Sequence, residues 1–198
     1  MIPKIKMIDK SDFRDMLKDM ENLDNQRELL IKCSRDVLKL SKQIIYALHR
    51  GDTKGAKGFT VKINQVFDKL NKIASKECEL ENVGAFKVAA QEYVEALCYY
   101  GFVVNNKIPT HKELKVSSTG YLLGICDLTG ELVRKAINDA IKGDMKSALF
   151  IKEVVEELYG ELLKFDFRNG ELRKKFDGIK YDLKRLEDVA LDIKLKGK

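Results

Sequence analysis

The sequence is poor in residues that break helices and in residues that usually bind transition metals. Its 198 residues include 2 prolines, 2 histidines and no tryptophan, and the 13 glycines form no glycine-rich stretch. This composition excludes a collagen-like or low-complexity chain. The 4 cysteines form no C-x-x-C pair and have no histidine nearby in sequence. Zinc sites and disulfide frameworks are therefore not expected.

The sequence also lacks a run long and apolar enough to suggest a membrane span. Its most apolar segment, residues 83–104, contains Lys87, Glu92 and Glu95, and two carboxylates near the centre of a span are costly in lipid. The beginning MIPKIKMIDK has no apolar signal-peptide region. We therefore expect a buried core helix here, no membrane association, a cytoplasmic location and reduced thiols.

Apolar residues recur at helical spacing through most of the chain, with breaks at glycine, asparagine and aspartate. The pattern predicts an all-α, single-domain helical bundle over residues 1–198, with about six to seven helices. Ser11 is the expected cap of a first helix that continues to about Arg50. Further helices are expected over residues 58–78, 84–104, 119–141, 146–164 and 171–194, with the main inter-helix loop at about 105–118.

The net charge is +6, and most of the positive excess lies near the carboxyl end. Residues 164–198 carry 11 Lys and Arg against 7 Asp and Glu. Such an excess suits a polyanionic partner, although solvated lysine-rich helix faces are common. In the first helix, Arg35, Lys42 and His49 recur every seven residues, and Arg50 follows. This face is either solvated or a track for phosphates.

Four carboxylates lie on two of the most apolar predicted helices. Glu92 and Glu95 are three residues apart on one helix, and Asp127 and Glu131 are four apart on the next, so each pair shares a face. Acids gathered in a core repel one another and shift towards protonation unless cations neutralise them. Either basic side chains, such as Arg134 or those of the first helix, or a hard ion such as Mg²⁺ or Mn²⁺ would meet that need.

Several segments in order carry a family resemblance. They are SRDVLKLSKQIIYALHR (34–50), QEYVEALCYYGFV (91–103), YLLGICDLTGELVRKAIN (121–138) and LRKKFDGIKYDLKRLEDVALDIKLKG (172–197). Over roughly residues 25–197 the chain resembles the translin/TRAX family. The resemblance implies a translin-like all-α protomer that assembles into a barrel-like oligomer, an octamer in that family, around single-stranded nucleic acid.

The resemblance also implies a function and a site. TRAX is a Mg²⁺-dependent endoribonuclease whose site uses an E-x-x-E pair and the Asp of D-L-T-G-E, which match Glu92, Glu95 and Asp127. Glu131 ends the second motif and is the natural fourth carboxylate. Translin lacks this acidic set, so its presence points to the catalytic branch. The resemblance therefore implies catalytic and metal-binding roles for all four residues, with Mg²⁺ or Mn²⁺ as cofactor.

Two departures from the family pattern bear on the assembly. The loop at 105–118 is shorter than expected of eukaryotic TRAX, and the carboxyl-terminal segment is more like translin. This mixture suggests an archaeal homo-oligomer that binds single-stranded RNA and cuts it. The expected nucleic-acid contacts are Arg35, Lys42, His49, Arg50, Arg173, Lys174, Lys175, Lys180, Lys184 and Arg185.

Other functions stay open at this stage. The main alternative is a non-catalytic scaffold that binds single-stranded DNA or RNA, and another is a purely structural helical oligomer. A metal-free ribonuclease mechanism would need two neighbouring histidines, and His49 with His111 is the available pair. Tyr99, Tyr100 and Tyr181 would either stack on bases or, as is commoner for helical aromatics, belong to the core.

Overall fold

The computed structural model describes residues 8–196, and within that range the chain is all α-helical. The helices are α1 (Lys10–His49), α2 (Thr53–Ala74), α3 (Cys78–Glu81), α4 (Gly84–Asn105), α5 (His111–Leu114), α6 (Ser118–Ile141), α7 (Met145–Leu162) and α8 (Glu171–Lys196). The predicted all-α bundle is confirmed, with six long helices and two single turns, α3 and α5. The ends of the predicted domain, residues 1–7 and 197–198, lie outside the described residues.

Short polar side chains determine where several long helices begin. Asp52, Ser117 and Asp144 each accept a hydrogen bond from the backbone N–H three residues later, at 2.8, 3.2 and 3.0 Å. The predicted cap at Ser11 is wrong. Asp9 caps α1 instead, because its carboxylate accepts both the backbone N–H of Ser11, at 2.9 Å, and the Ser11 hydroxyl, at 2.5 Å.

Two predicted boundaries also differ from the structure. The second helix begins at Thr53 rather than near residue 58, because Asp52 caps it there. Its first turns accommodate Gly55 and Gly58. The loop predicted at 105–118 contains α5, one helical turn that begins with a capping box formed by Thr110 and Glu113. Neither difference moves the helices that carry the four carboxylates.

Helix α4 lies at the centre of the bundle, between α1, α2 and α6, as predicted for the most apolar segment. It runs parallel to α6, and the two backbones approach closely at Gly124. A Cβ atom at this position would lie 2.6 Å from the Cβ of Val94, so only glycine permits the contact. No helix within residues 8–196 combines the length and apolar character needed to cross a bilayer.

Most of the long helices point the same way. On α1 and α4, His49 lies beside Tyr99 and Lys42 lies near Glu92, so these helices are parallel. Helix α7 reverses after a short turn. Its Tyr159 packs on Phe176 of α8, with ring centres 5.3 Å apart, so α8 returns alongside α6. One hydrophobic core extends through these helices.

Most of the first half of α1 lies outside this core. No residue from 10 to 29 is buried, whereas Leu30 is fully buried. At 1.5 Å per residue these positions form about 30 Å of helix. Phe13, Met16, Leu17 and Met20 recur at helical spacing along it and are 44–61% exposed. This part of α1 therefore carries an apolar stripe that no other residue between 8 and 196 covers.

Candidate functional site

The four predicted carboxylates lie together where α4 packs beside α6. Glu92 and Glu95 extend from α4, and Asp127 and Glu131 extend from α6. Glu95 is only 9% exposed, and the side chains of Asp127 and Glu131 are 23% and 22% exposed. Because Gly124 brings the two backbones together, acids separated by about 30 residues in sequence share one partly buried cluster.

Burial and the neighbouring acids raise the pKa of the two glutamates on α4. Burial first, and then the negative charges of Asp127, Glu92 and Glu131, raise the pKa of Glu95 to about 8. Loss of water and nearby like charges both disfavour the ionised carboxylate. The pKa of Glu92 is also raised, chiefly by burial, although the positive charge of Lys42 opposes this shift. The cations of the chain therefore do not fully balance the cluster.

Both carboxylate oxygens of Asp127 have partners. The Nζ atom of Lys175 on α8 lies 2.6 Å from Oδ1, and the side-chain amide of Gln91 donates to Oδ2. Lys175, predicted to contact RNA, instead turns inwards and forms an ion pair that is three-quarters buried. This position explains how a core helix tolerates Asp127, because ion pairing and hydrogen bonding offset the loss of water.

Glu131 is held by a second network, from α1. The Nε2 atom of His49 donates to a Glu131 carboxylate oxygen, and the Tyr99 hydroxyl donates to Nδ1 of His49 at 3.2 Å. The His49 side chain is 6% exposed and lies inside the cluster. Its predicted contact with phosphate stays a prediction. Tyr99 is 1% exposed and belongs to the core rather than to a surface that could stack on bases.

The other predicted nucleic-acid contacts lie at or near the surface. Arg173 is partly exposed and pairs with Asp177 at 3.0 Å, which also lies 3.8 Å from Lys180. The exposed members of the set are Arg35, Lys42, Arg50, Lys174, Lys180, Lys184 and Arg185. The structure therefore leaves most of these cations accessible, while Lys175 and His49 serve the carboxylates.

The remaining aromatic residues and the two histidines singled out in the sequence lie in different parts of the structure. Tyr181 is 73% exposed on α8, and Tyr100 is half-buried beside the core. His111 packs against Tyr121, with ring centres 6.0 Å apart, while His49 packs against Tyr99. The two histidines thus have different aromatic neighbours, and this arrangement offers no support for a histidine-pair mechanism.

The donor chemistry of the cluster fits a hard cation, because its four acids supply oxygen atoms and no thiolate. Nevertheless, among residues 8–196 no three His, Cys, Asp or Glu side chains are arranged so that they could hold a metal ion. Two of the four acids instead have partners within the chain. Lys175 and Gln91 engage Asp127, and His49 engages Glu131.

Sequence reasoning missed two contributors to this site. Gln91 is four residues before Glu95 and so shares its face of α4, a spacing that could have identified it. Tyr46 is four residues after Lys42 on α1, and Arg134 of α6 lies over its ring, 5.5 Å from the centre. This contact between helices far apart in sequence has no local signal.

Comparisons with known proteins agree with this architecture. Residues 25–197 match the Translin family. An uncharacterized protein of Methanocaldococcus jannaschii is 34% identical over 167 residues, which cover 82% of this chain and 73% of that protein. Translin-associated protein X of Rattus norvegicus is 24% identical over 229 residues, covering 93% of this chain and 78% of that protein.

Solved structures with the same fold include C3PO proteins. The crystal structure of apo-NeC3PO has a TM-score of 0.86 and 29% identity, covering 94% of this chain and 98% of that chain. An AfC3PO complex with duplex RNA has a TM-score of 0.83 and 26% identity, covering 93% and 97%. Sequence and fold thus agree along nearly the whole chain, which belongs to the translin family.

Proposed function

We propose that this protein is a metal-dependent endoribonuclease that binds single-stranded RNA and hydrolyses its phosphodiester bonds. The observation that carries the proposal is the shared, partly buried cluster of four carboxylates, in which the pKa of Glu95 rises to about 8. Burying acids together is costly, and a bound cation would offset that cost. Perturbed carboxylates in such a cluster are typical of functional sites.

The residues that would hold Mg²⁺ or Mn²⁺ are Glu92, Glu95, Asp127 and Glu131. When bound, the ion supplies positive charge that activates a water molecule and stabilises the leaving oxygen. His49 orients the carboxylate of Glu131, and Gln91 orients that of Asp127. The chain needs no nucleophilic side chain for this reaction.

The exposed cations support the RNA-binding part of the proposal. Lys42 lies near Glu92, so a backbone that reaches the cluster also reaches a positive charge on α1. A related structure, AfC3PO, binds duplex RNA. We further propose a homo-oligomer, an octamer by the family resemblance, since the described part of the chain leaves the apolar stripe on the first half of α1 uncovered.

A second candidate is a non-catalytic scaffold that binds single-stranded DNA or RNA. One observation favours it: Asp127 and Glu131 have partners within the chain, so these acids can be held without a metal ion. In that case the cluster would serve only to join α1, α4, α6 and α8. The two candidates differ in whether RNA is cut, not in whether it is bound.

The experiment is cleavage of an end-labelled single-stranded RNA with Mg²⁺ and with EDTA. The variants are Asp127→Asn and Glu95→Gln, and the matched control is Asp36→Asn, an exposed acid on α1. We expect metal-dependent cleavage that falls by at least about 100-fold in both cluster variants and is unchanged in the control. RNA binding and oligomer mass should remain those of the wild type.

Other outcomes identify the alternatives. Binding of RNA without any metal-dependent cleavage would support the scaffold. Absence of binding even at low salt would support a purely structural oligomer. Parallel titrations with single-stranded DNA and with duplex RNA define which nucleic acid the protein prefers.

A further inference from the structure

An exposed tyrosine and an arginine lie beside the carboxylate cluster, and the proposed chemistry uses neither. Tyr46 is 54% exposed on α1, although its neighbours Ile45 and Ala47 are buried. The guanidinium carbon of Arg134 lies 5.5 Å from the centre of the Tyr46 ring, and the Arg134 side chain is 47% exposed. A flat ring and a flat cation therefore meet at the surface.

This pair is connected to the cluster through Glu131. The Nη1 atom of Arg134 lies 3.8 Å from Oε2 of Glu131, the oxygen that also accepts from His49. At this distance and exposure the ion pair contributes little to stability. The guanidinium therefore keeps N–H donors available for another anion. It also lies beside Glu131, a member of the cluster.

We propose that Tyr46 and Arg134 bind a nucleotide that flanks the phosphate to be cut. The Tyr46 ring stacks on the base, and the Arg134 guanidinium binds the adjoining phosphate oxygens. The inference rests on the proposed function for the position of the cut, but its binding chemistry stands on the geometry of the pair. Aromatic faces accept every base, and guanidinium groups bind phosphate through two parallel hydrogen bonds.

The ligand that this pair fits is single-stranded RNA rather than a duplex. A paired base keeps both faces within its own helical stack, so only an unpaired base can lie flat on the Tyr46 ring. Lys42 is exposed one turn before Tyr46 on α1 and extends the positive surface along the path of the strand.

The experiment measures binding of a short end-labelled single-stranded RNA by fluorescence anisotropy in EDTA. The variants are Tyr46→Ala, Tyr46→Phe and Arg134→Gln, and the control is Phe150→Ala, which removes an exposed aromatic ring on α7. We expect Tyr46→Ala to weaken binding by about 10-fold, because stacking on one base is lost. Tyr46→Phe and Phe150→Ala should keep the wild-type affinity.

Salt dependence separates the two roles. Arg134→Gln should lower the slope of log affinity against log salt concentration by about 0.7, the value for one phosphate contact on a single strand. Tyr46→Ala should leave this slope unchanged, since stacking releases no counterion. If the two side chains had only structural roles, one variant would not change the salt slope while the other changed the affinity at a constant slope.

Three results would overturn the inference: wild-type affinity in Tyr46→Ala, no RNA binding by the wild type, or an altered oligomer mass in Tyr46→Ala. The last would assign the ring to an interface between copies. Because the assay contains EDTA, it does not depend on cleavage. Stacking without cleavage would overturn only the proposed function, and cleavage without a Tyr46 effect would overturn only this inference.

Discussion

The two acids that α6 contributes to the cluster lie one turn apart, yet the chain holds them in different ways. Asp127 is met by Lys175, a flexible side chain whose ammonium group reaches in from α8. Glu131 is met by His49, a rigid ring that is 6% exposed and is held from behind by Tyr99. One end of the cluster is therefore closed by a movable charge and the other by a fixed network.

This difference determines which end of the cluster can rearrange. Lysine has four rotatable methylene groups, and its ammonium can leave Asp127 without disturbing the core. The His49 ring cannot move unless Tyr99 and Glu131 also lose their hydrogen bonds. A cation that enters the cluster can therefore displace Lys175 more readily than His49.

The largest expected effect concerns Glu95, which lies near both ends. Its folded-state pKa of about 8 exceeds the usual value, so the folded chain holds this proton more tightly than the unfolded chain. In EDTA this group therefore makes stability fall as pH rises from about 4.5 to 8. Glu95→Gln should gain on the order of 4 kcal/mol relative to the wild type across this window.

Urea unfolding in EDTA at pH 5 and pH 8.5, at one protein concentration, checks this prediction. Glu153→Gln, an exposed glutamate on α7, is the matched control and should show no such divergence. A constant difference between Glu95→Gln and the wild type at both pH values would contradict it.

The next effect tests the rigid end. His49→Ala removes the donor to Glu131 and the acceptor for Tyr99, so one buried hydroxyl and one partly buried carboxylate lose their partners. We expect the free energy of unfolding to fall by about 3 kcal/mol. Denaturant unfolding at pH 7 measures this loss. A loss smaller than the one caused by replacing Lys175 with Met would reverse the comparison between the two ends of the cluster.

A smaller effect is expected at the movable end. Lys175→Met leaves Asp127 with only the Gln91 hydrogen bond, but both charged side chains are about one-quarter exposed, so water compensates in part. The loss should be about 2 kcal/mol in EDTA. Arg173→Met is the control, because its ion pair with Asp177 is more than 40% exposed and should contribute less than about 1 kcal/mol.

The variant Lys175→Met also tests the difference between the two ends of the cluster when metal is added. If the acids hold a divalent ion, removal of the competing ammonium should strengthen Mn²⁺ binding, measured from the free-ion signal in electron paramagnetic resonance. Unchanged Mn²⁺ affinity in Lys175→Met would mean that the lysine does not compete for Asp127.

The smallest effect concerns Tyr99. Tyr99→Phe removes one neutral hydrogen bond to His49 and preserves the ring in the core. We expect a loss of about 1 kcal/mol in unfolding free energy. A double-mutant cycle with His49→Ala should show coupling between the two positions, and additive losses would show that Tyr99 does not support the histidine.

Sequence reasoning located the helices and the acids because both depend on short-range patterns. Apolar spacing predicted α4 and α6, and the separation of three and four residues placed each acidic pair on one face. The cation that meets each acid depends on long-range packing. Arg173, Lys174 and Lys175 are consecutive and point about 100° apart, so the packing of α8 decides that Lys175 turns inwards.

The same limit explains why spacing along the sequence did not predict the burial of His49. Its seven-residue spacing from Lys42 suggested a shared exposed face, but a helix drifts by about 20° per heptad. His49 occurs at the end of α1, where this drift and the approach of α4 and α6 bury the ring. Exposure at an end of a long helix therefore cannot be inferred from spacing alone.

The shared direction of α1, α4, α6 and α8 has an electrical consequence. In an up-and-down bundle the dipoles of neighbouring helices cancel, but here four long helices oppose only α7 and α2. Helix α2 is antiparallel to α1, because Cys33 contacts Val66 while Gln26 contacts Lys76, just beyond the end of α2. Each helix carries about half a positive charge at its amino end. The backbone dipoles thus create an electric field along the length of the molecule. Because this field arises from the directions of the helices, replacing side chains does not remove it.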